Sequence, residues 1–275
     1  MDPHFDPALL LLAGHLVHDE QSRLRRKLLH VLAKHLEVPW LRFCYEALEG
    51  RHRKWTEHPV TRFLFRWIFA YPVGRYGDTG HPMITTDVLD LLDAQRDLAI
   101  AIGPCRCRVA HGRFQHMLET DMVIRTGTDA FQRAFPDDYR VIDRDEAKRL
   151  IQSFADEGFW HMVFVHCYTG DGVNEYAICN CCRDGCVPFL LNKHLGQKGF
   201  PLLYGEHVAH VDANACQGCG ECLDACPWEA RYLMKGLVCI EESLCYGCGL
   251  CARACPNDAI ELRRERPRPP LRTYQ

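Results

Sequence analysis

Apolar residues at Leu24, Leu28, Val31, Leu32 and Leu36 recur with helical spacing, and Arg23, Arg25, Arg26, Lys27 and Lys34 fill the other face. Pro39, Gly50, Pro59 and Pro72 punctuate this stretch, which predicts a run of short helices over residues 1–80. From His81 to about Glu206 the period changes. Thr86 is placed to cap a helix over Asp87–Gln95. Leu98–Gly103 and Asp121–Arg125 read as short buried strands, followed by a helical piece from Asp129 to Phe135 and a strand fragment at Val141–Ile142. Asp143 with Glu146 forms a capping-box-like start for a helix that Gly158 ends. Trp160–His166 is the strongest strand signal, and Tyr176–Ile178 the next. Strands alternating with helices predict a small α/β or α+β domain over residues 81–206.

The last quarter of the chain is an internal duplication. Val208–Asp212 and Ala230–Leu233 flank one cysteine run, and Leu237–Glu241 and Ala259–Leu262 flank a second. Each half reads as strand, loop, helical turn, strand, and two such halves form one unit about a pseudo-twofold axis. The expected fold class is therefore α+β. It comprises an N-terminal helical region (1–80), a small α/β middle domain (81–206), a duplicated cysteine-rich unit (207–262) and an Arg/Pro-rich tail (263–275).

With 275 residues and 47 % apolar content the chain can bury an ordinary core. A net charge of −3 does not point to nucleic acid or to membrane as the main partner. Met1–Gly14 lacks a basic leader region, and Leu9–Ala13 is too short for a signal core. No apolar run reaches the ~20 residues a membrane span requires; the best candidate, Phe63–Val73, is interrupted by Arg66 and Pro72. The 17 cysteines are therefore expected in a reducing cytoplasm, where Cys-x-x-Cys spacings serve metals or redox chemistry rather than disulfides.

Two of the cysteine runs share one spacing: Cys216, Cys219, Cys222 and Cys226-Pro227, then Cys245, Cys248, Cys251 and Cys255-Pro256. Two residues between ligands let a tight turn place three sulfurs on three corners of one cube, which predicts two [4Fe–4S] clusters. This segment resembles bacterial two-cluster ferredoxins, in which the fourth Cys of each run ligates the other cluster. The resemblance assigns Cys216, Cys219, Cys222 and Cys255 to one cluster and Cys245, Cys248, Cys251 and Cys226 to the second. Gly218, Gly220, Gly247 and Gly249 let backbone N–H groups approach the sulfides. Two structural zinc sites are the alternative use of eight thiolates. Cys239 lies outside both runs and reads as a small buried hydrophobe. Low-potential clusters suffer from oxygen, so an anaerobic or microaerobic host is expected.

A second constellation lies in the middle domain: Cys105-Arg106-Cys107-Arg108, and Cys179-Asn180-Cys181-Cys182 with Cys186. His111, His116 and Glu119 follow the first segment, and Cys167 follows His166. Both cysteine segments follow predicted strands and so can converge at one sheet edge. Cys186 opens a helical stretch, whose N-terminal N–H groups favour thiolates. Four uses stay open for Cys105, Cys107, Cys179, Cys181, Cys182 and Cys186: a third iron–sulfur cluster, a zinc site, a dithiol or persulfide active site, or unliganded burial. Arg106 and Arg108 either stabilise a negatively charged cluster, clamp an anionic substrate, or form a surface pair. His161 and His166 fall on opposite strand faces. His166, beside Cys167, is the better site candidate, against the plainer reading of a satisfied core histidine.

Residues 81–262 together resemble a family of dicluster 4Fe–4S binding proteins of anaerobic bacteria and archaea. That family pairs a Cys-x-Cys-Arg segment (here Cys105–Arg108), a Glu-Ala helix (Glu146–Ala147) and a Cys-Asn-Cys-Cys loop (Cys179–Cys182) with a C-terminal ferredoxin unit. Its members often carry another Cys where this chain has Phe114-Gln115-His116. The resemblance implies an electron-transfer or reductase role.

The expectation is an iron–sulfur protein relaying single electrons between the C-terminal clusters and the middle cysteine site, with a redox protein as donor or acceptor. The N-terminal helices would cover that site or dock a partner; the basic run Gly50–Lys54 is either a solvated face or a docking face for an acidic partner. A reductase binding substrate at the middle site, or an accessory protein activating a partner enzyme, are the other classes. No Gly-rich phosphate loop, Ser–His–Asp set or Cys-x-x-Cys-His haem motif stands out.

Overall fold

The computed structural model describes residues 23–76, 80–94, 99–112, 117–124, 128, 132, 135–166 and 175–267. His116, Cys167 and nearly all of the helical piece expected over 129–135 lie outside them.

At the start of the chain, α1 (Arg23–Leu48) runs straight through Pro39 instead of breaking there. An interior proline costs a helix about 3 kcal/mol. Burial of Leu41 and Leu48, each worth roughly 1.5–3 kcal/mol, offsets it together with Cys44, Tyr45 and Ala47, all packed into the main core. Beyond Gly50 come α2 (Lys54–Glu57) and α3 (Pro59–Leu64), and Pro59 opens α3 where a missing N–H costs nothing. The chain continues through a π-helical segment (Phe65–Ala70) into α4 (Tyr71–Tyr76), so Pro72 sits in a first helical turn and does not end the run.

The middle region is built on a six-stranded sheet in the order β1-β5-β6-β3-β2-β4. Its strands are β1 (His81–Met83), β2 (Ile100–Pro104), β3 (Glu119–Ile124), β4 (Arg140–Ile142), β5 (Trp160–His166) and β6 (Glu175–Cys181). Every pairing is antiparallel, so of the two layouts that alternation allowed, the antiparallel one is present. One face of the sheet is covered by α5 (Thr85–Ala94) and α7 (Arg144–Asp156) through Val88, Leu92, Ile151 and Phe154. The other face receives α1, α6 (Arg106–His111) and α8 (Val187–Leu195). Trp160, Met162 and Phe164 point to this second face and Val163 to the first, as strand alternation requires.

Two helix starts differ in instructive ways. Helix α5 begins earlier than expected: the Val88 N–H donates to Ile84 O at 3.1 Å, so Thr86 is inside the first turn and does not cap it. At α7 the Asp143 carboxylate accepts from the Glu146 N–H at 2.6 Å as expected. The return bond of a capping box is replaced by an ion pair of Glu146 with Arg140 at 2.7 Å. Gly158 follows α7 at φ 80°.

In the C-terminal unit, β7 (His207–Val211) pairs with β10 (Ile260–Arg264) and β8 (Arg231–Met234) with β9 (Leu237–Ile240), both antiparallel. The short helices α9 (Glu221–Asp224) and α10 (Leu250–Arg253) follow the cysteine turns. The two halves are offset by 29 residues in sequence, from Cys216 to Cys245 and from Cys226 to Cys255. Strand β10 reaches Arg264, so Arg263 and Arg264 of the expected tail belong to the sheet. No helix among the described residues is long and apolar enough to cross a membrane.

Candidate functional site

The eight C-terminal thiols fall into two groups. Cys216, Cys219, Cys222 and Cys255 line one small cavity together with Gln217, Asn257 and Ile260. Cys248, Cys251, Cys245 and Cys226 lie close enough to one another that their charges interact. Each group thus takes three thiols from one run and the fourth from the other. The Ala230 N–H donates to Cys226 Sγ and the Ala259 N–H to Cys255 Sγ, both at 3.3 Å. Two glycines are obligatory at these turns. Gly218 (φ 65°) and Gly247 (φ 76°) each bring a would-be Cβ to 2.2 Å from a carbonyl oxygen, of Gly236 and His207 respectively. Neither clash can be relieved without moving backbone.

Burial pushes the Cys251 thiol up to about 11, with the Arg231 guanidinium opposing it. Arg231 is itself buried. Its Nη2 donates to Cys251 Sγ, while its Nε and Nη1 have no hydrogen-bond partner among the described residues. A buried cation so placed requires negative charge beside it. Iron-bound thiolates and sulfides supply that charge, so the donor set fits iron–sulfur clusters.

The middle-domain cysteines gather where β6 ends and α6 and α8 begin. Cys105 and Cys186 are the N-caps of α6 and α8. The thiols form a chain of contacts, Cys105 to Cys107, Cys107 to Cys186 and Cys186 to Cys181. Backbone N–H groups of Arg108, Val187 and Phe189 donate to Cys105, Cys107 and Cys186. Two helix N-termini therefore point at one buried group of sulfurs, an arrangement that favours thiolates. In the free thiol state the contact with Cys107, then burial, raises Cys105 well above the ordinary range. Cys186 exerts the largest single pull and lowers Cys181, but burial together with the nearby Cys179, Cys105 and Cys107 outweighs it, and the thiol ends at about 12.

Cys179 borders this group and donates from Sγ to the buried Asp121 Oδ1 at 3.0 Å. Asp121 also accepts from Tyr139 Oη at 2.6 Å. Cys182, the residue after β6, stands outside the contact chain: it belongs to the core cluster under α5 and α7 and its thiol contacts Arg108. Burial pushes it up to about 11 against the pull of Arg108.

The two arginines are not a surface pair. Arg108 is almost fully buried, its Nη1 donating to Met117 O and, at 3.2 Å, to Thr120 Oγ1. Its guanidinium lies 4.8 Å over the Phe159 ring. Arg106 pairs with Glu37 of α1 at 3.4 Å and lies 4.1 Å over the Phe135 ring. His111 stacks on Tyr45 of α1, ring centroids 4.2 Å apart, and Arg42 Nε donates to Ala110 O at 2.6 Å. Helix α1 therefore covers the cysteine group. Glu119 is exposed and pairs with Arg140 at 3.7 Å. His161 is a satisfied core histidine, with Nδ1 2.6 Å from Asn180 Oδ1 and Nε2 3.2 Å from Thr85 Oγ1. For His166 the backbone alone is described, at the end of β5. Cys239 is half-buried on β9, not fully buried as expected.

An aromatic stack joins the C-terminal unit to the middle domain. Trp228, two residues after Cys226, lies 5.5 Å from Trp160, 5.3 Å from Phe189 and 4.6 Å from Tyr246. Tyr246 Oη donates to Asn192 Oδ1 at 3.0 Å. The positions one repeat away are Gln217 for Tyr246 and Asn257 for Trp228, and both line the cavity of the other thiol group. These aromatics, and Asp121, were missed from sequence. A mismatch of aromatic against amide within an otherwise faithful repeat was the available signal for Trp228 and Tyr246. For Asp121 it was a carboxylate at the start of a buried strand.

Residues 208–232 and residues 238–261 each match a family model described as a 4Fe-4S binding domain. The C-terminal region is thus an iron–sulfur unit of ferredoxin type, with an electron-transfer role and redox partners. No curated protein matches the chain.

Proposed function

We propose that the chain is a single-electron relay with three centres in series, two held by the C-terminal unit and a third by the middle-domain cysteines. The observation that carries this reading is the asymmetry of the duplicated unit. The group of Cys216, Cys219, Cys222 and Cys255 is flanked by polar Gln217 and Asn257, and Cys219 is exposed. The group of Cys245, Cys248, Cys251 and Cys226 is flanked by Trp228 and Tyr246, which face the middle domain. One thiol group thus meets an external partner and the other faces inward.

The ligands of the outer cluster are Cys216, Cys219, Cys222 and Cys255, and those of the inner one Cys245, Cys248, Cys251 and Cys226. For the middle centre we assign Cys105, Cys107, Cys181 and Cys186, whose sulfurs form the contact chain. Cys179 keeps its proton for Asp121, and Cys182 is engaged by Arg108 outside the contact chain. Bound clusters supply one-electron chemistry; the chain supplies spacing, N–H···S bonds, a cover by α1 and a dry aromatic junction. Among the described residues, no group of three or more His, Cys, Asp or Glu side chains is arranged around a single ion. What favours a cluster over zinc at these thiols is the adjoining ferredoxin-type unit, which has one-electron chemistry to pass on.

A substrate-binding reductase receives less support. The cleft of about 660 Å³ between α7, β5 and α10 reaches Cys182, Asp156, Arg183 and Arg253 but neither Arg106 nor Arg108. The buried Arg108 and the Glu37-paired Arg106 lie outside it, so neither clamps an anion there. The test is a substoichiometric pulse of reductant to anaerobic holoprotein followed by rapid-freeze EPR. The relay is supported if signal appears first on the C-terminal pair and then on a middle-domain centre at its expense. Signal confined to the C-terminal pair contradicts it.

A further inference from the structure

The two halves of the ferredoxin unit differ at one buried position in a way that bears on their potentials. Residue 231 in the first half is an arginine and its repeat mate, residue 260, is an isoleucine. Both are buried at the start of equivalent strands, β8 and β10. Ile260 lines the cavity of Cys216, Cys219, Cys222 and Cys255 and offers that group only a hydrocarbon surface. Arg231 donates from Nη2 to Cys251 Sγ of the inner group. Its charge also reaches Cys222 of the outer group.

We propose that Arg231 is a potential-setting residue that raises the reduction potential of the inner cluster more than that of the outer one. This rests on the cluster and ligand assignment given above. Reduction adds one negative charge to a cluster. A fixed guanidinium in a low-dielectric interior stabilises the reduced form, and a hydrogen bond to a ligand sulfur adds to that effect. The direct N–H···S bond goes to Cys251 alone, so the inner cluster gains both contributions and the outer one only the weaker charge interaction. The unpartnered Nε and Nη1 remain free to donate further toward the cluster. The bias draws an electron that enters at the exposed cluster toward the one facing the middle domain. Arg231 is a positioning and electrostatic residue and takes no part in bond making.

The experiment is an EPR-monitored redox titration of anaerobically purified wild-type protein, Arg231→Gln and Arg231→Lys, with iron and labile sulfide measured on each. Ile260→Val serves as a control for repacking at the mate position. With iron unchanged, Arg231→Gln is expected to lower one C-terminal couple more than the other. Arg231→Lys, which keeps the charge and loses the fork, is expected to give a smaller fall in that same couple, and Ile260→Val to move neither. Equal shifts of both couples, or no shift, in variants of wild-type iron content would overturn the proposal. Loss of iron from both arginine variants would also overturn it, in favour of a purely structural role. A wild-type protein without two C-terminal couples would instead refute the cluster assignment itself.

Discussion

The Trp160 and Trp228 indoles meet with ring centroids 5.5 Å apart and planes inclined at 58°. This contact joins the first residue of β5, paired in register with Cys181, to the turn that follows Cys226. It makes the cysteine group of the sheet and the inner group of the ferredoxin unit neighbours across one hydrophobic seam. Trp228→Ala is expected to cost about 3–5 kcal/mol of stability, the usual loss for truncating a buried tryptophan. It should also slow electron passage to the middle centre while leaving iron content intact. Anaerobic guanidinium unfolding and rapid-freeze EPR on the same preparation check the two effects separately.

His161 gives the fold a pH dependence with a defined sign. Burial lowers its pKa from 6.5 to about 4, with the hydrogen bond to Asn180 opposing. The unfolded chain therefore binds a proton between these values that the folded chain refuses. The stability due to the neutral ring is complete above the unfolded pKa and is lost as pH falls through this window. The loss is on the order of 3 kcal/mol. In His161→Gln, which cannot titrate, this part of the slope between pH 6.5 and pH 4 should vanish relative to wild type. Parallel unfolding curves for the two proteins across that range would argue against it.

Gly218 and Gly247 are the positions at which a single methyl group should empty one cluster site. Each would-be Cβ lies 2.2 Å from a backbone oxygen, and each residue has a positive φ that alanine adopts only with strain. Gly218→Ala is expected to lose the outer cluster, and Gly247→Ala the inner one. The readout is a fall of about four irons per chain, one cube's worth, with the other C-terminal couple still present in EPR.

Asp121 holds both Tyr139 and Cys179. Burial, and after it the Asp121 carboxylate, hold Tyr139 well above the ordinary phenol range. In Asp121→Asn the Tyr139 pKa should fall while staying above that range, because the burial remains. Breaking this buried pair is expected to cost roughly 1–3 kcal/mol. Ultraviolet titration of tyrosinate compared with Asp121→Asn/Tyr139→Phe isolates the one phenol concerned.

The duplicated unit was legible because its constraints are local: cysteine spacing sets the turns, glycines permit them, and strands flank them at fixed distance. The strong strand at Trp160–His166 was legible from its apolar run. Pro39 misled, since the contacts that keep α1 continuous come from α6 and α8, far away in sequence. Thr86 reads as a cap because its hydroxyl suits one; the helix instead starts at Thr85, with Val88, Leu91 and Leu92 buried. The middle cysteine group was visible as composition but not as geometry. Only the structure shows that Cys181 joins the contact chain while Cys179 turns to Asp121 and Cys182 to Arg108. The choice among the three roles left open for Arg108 could not be made from sequence, because nothing local reveals that its guanidinium ends against Phe159 and beside Cys182.

The most direct test of the three-centre relay is iron and acid-labile sulfide per chain in anaerobically purified protein, measured for wild type and Cys181→Ser. About twelve irons in wild type, the content of three four-iron cubes, falling to about eight in the variant with both C-terminal couples intact, is the expected result. About eight irons in both proteins would contradict a cluster at Cys105, Cys107, Cys181 and Cys186 and confine the redox role to the ferredoxin unit.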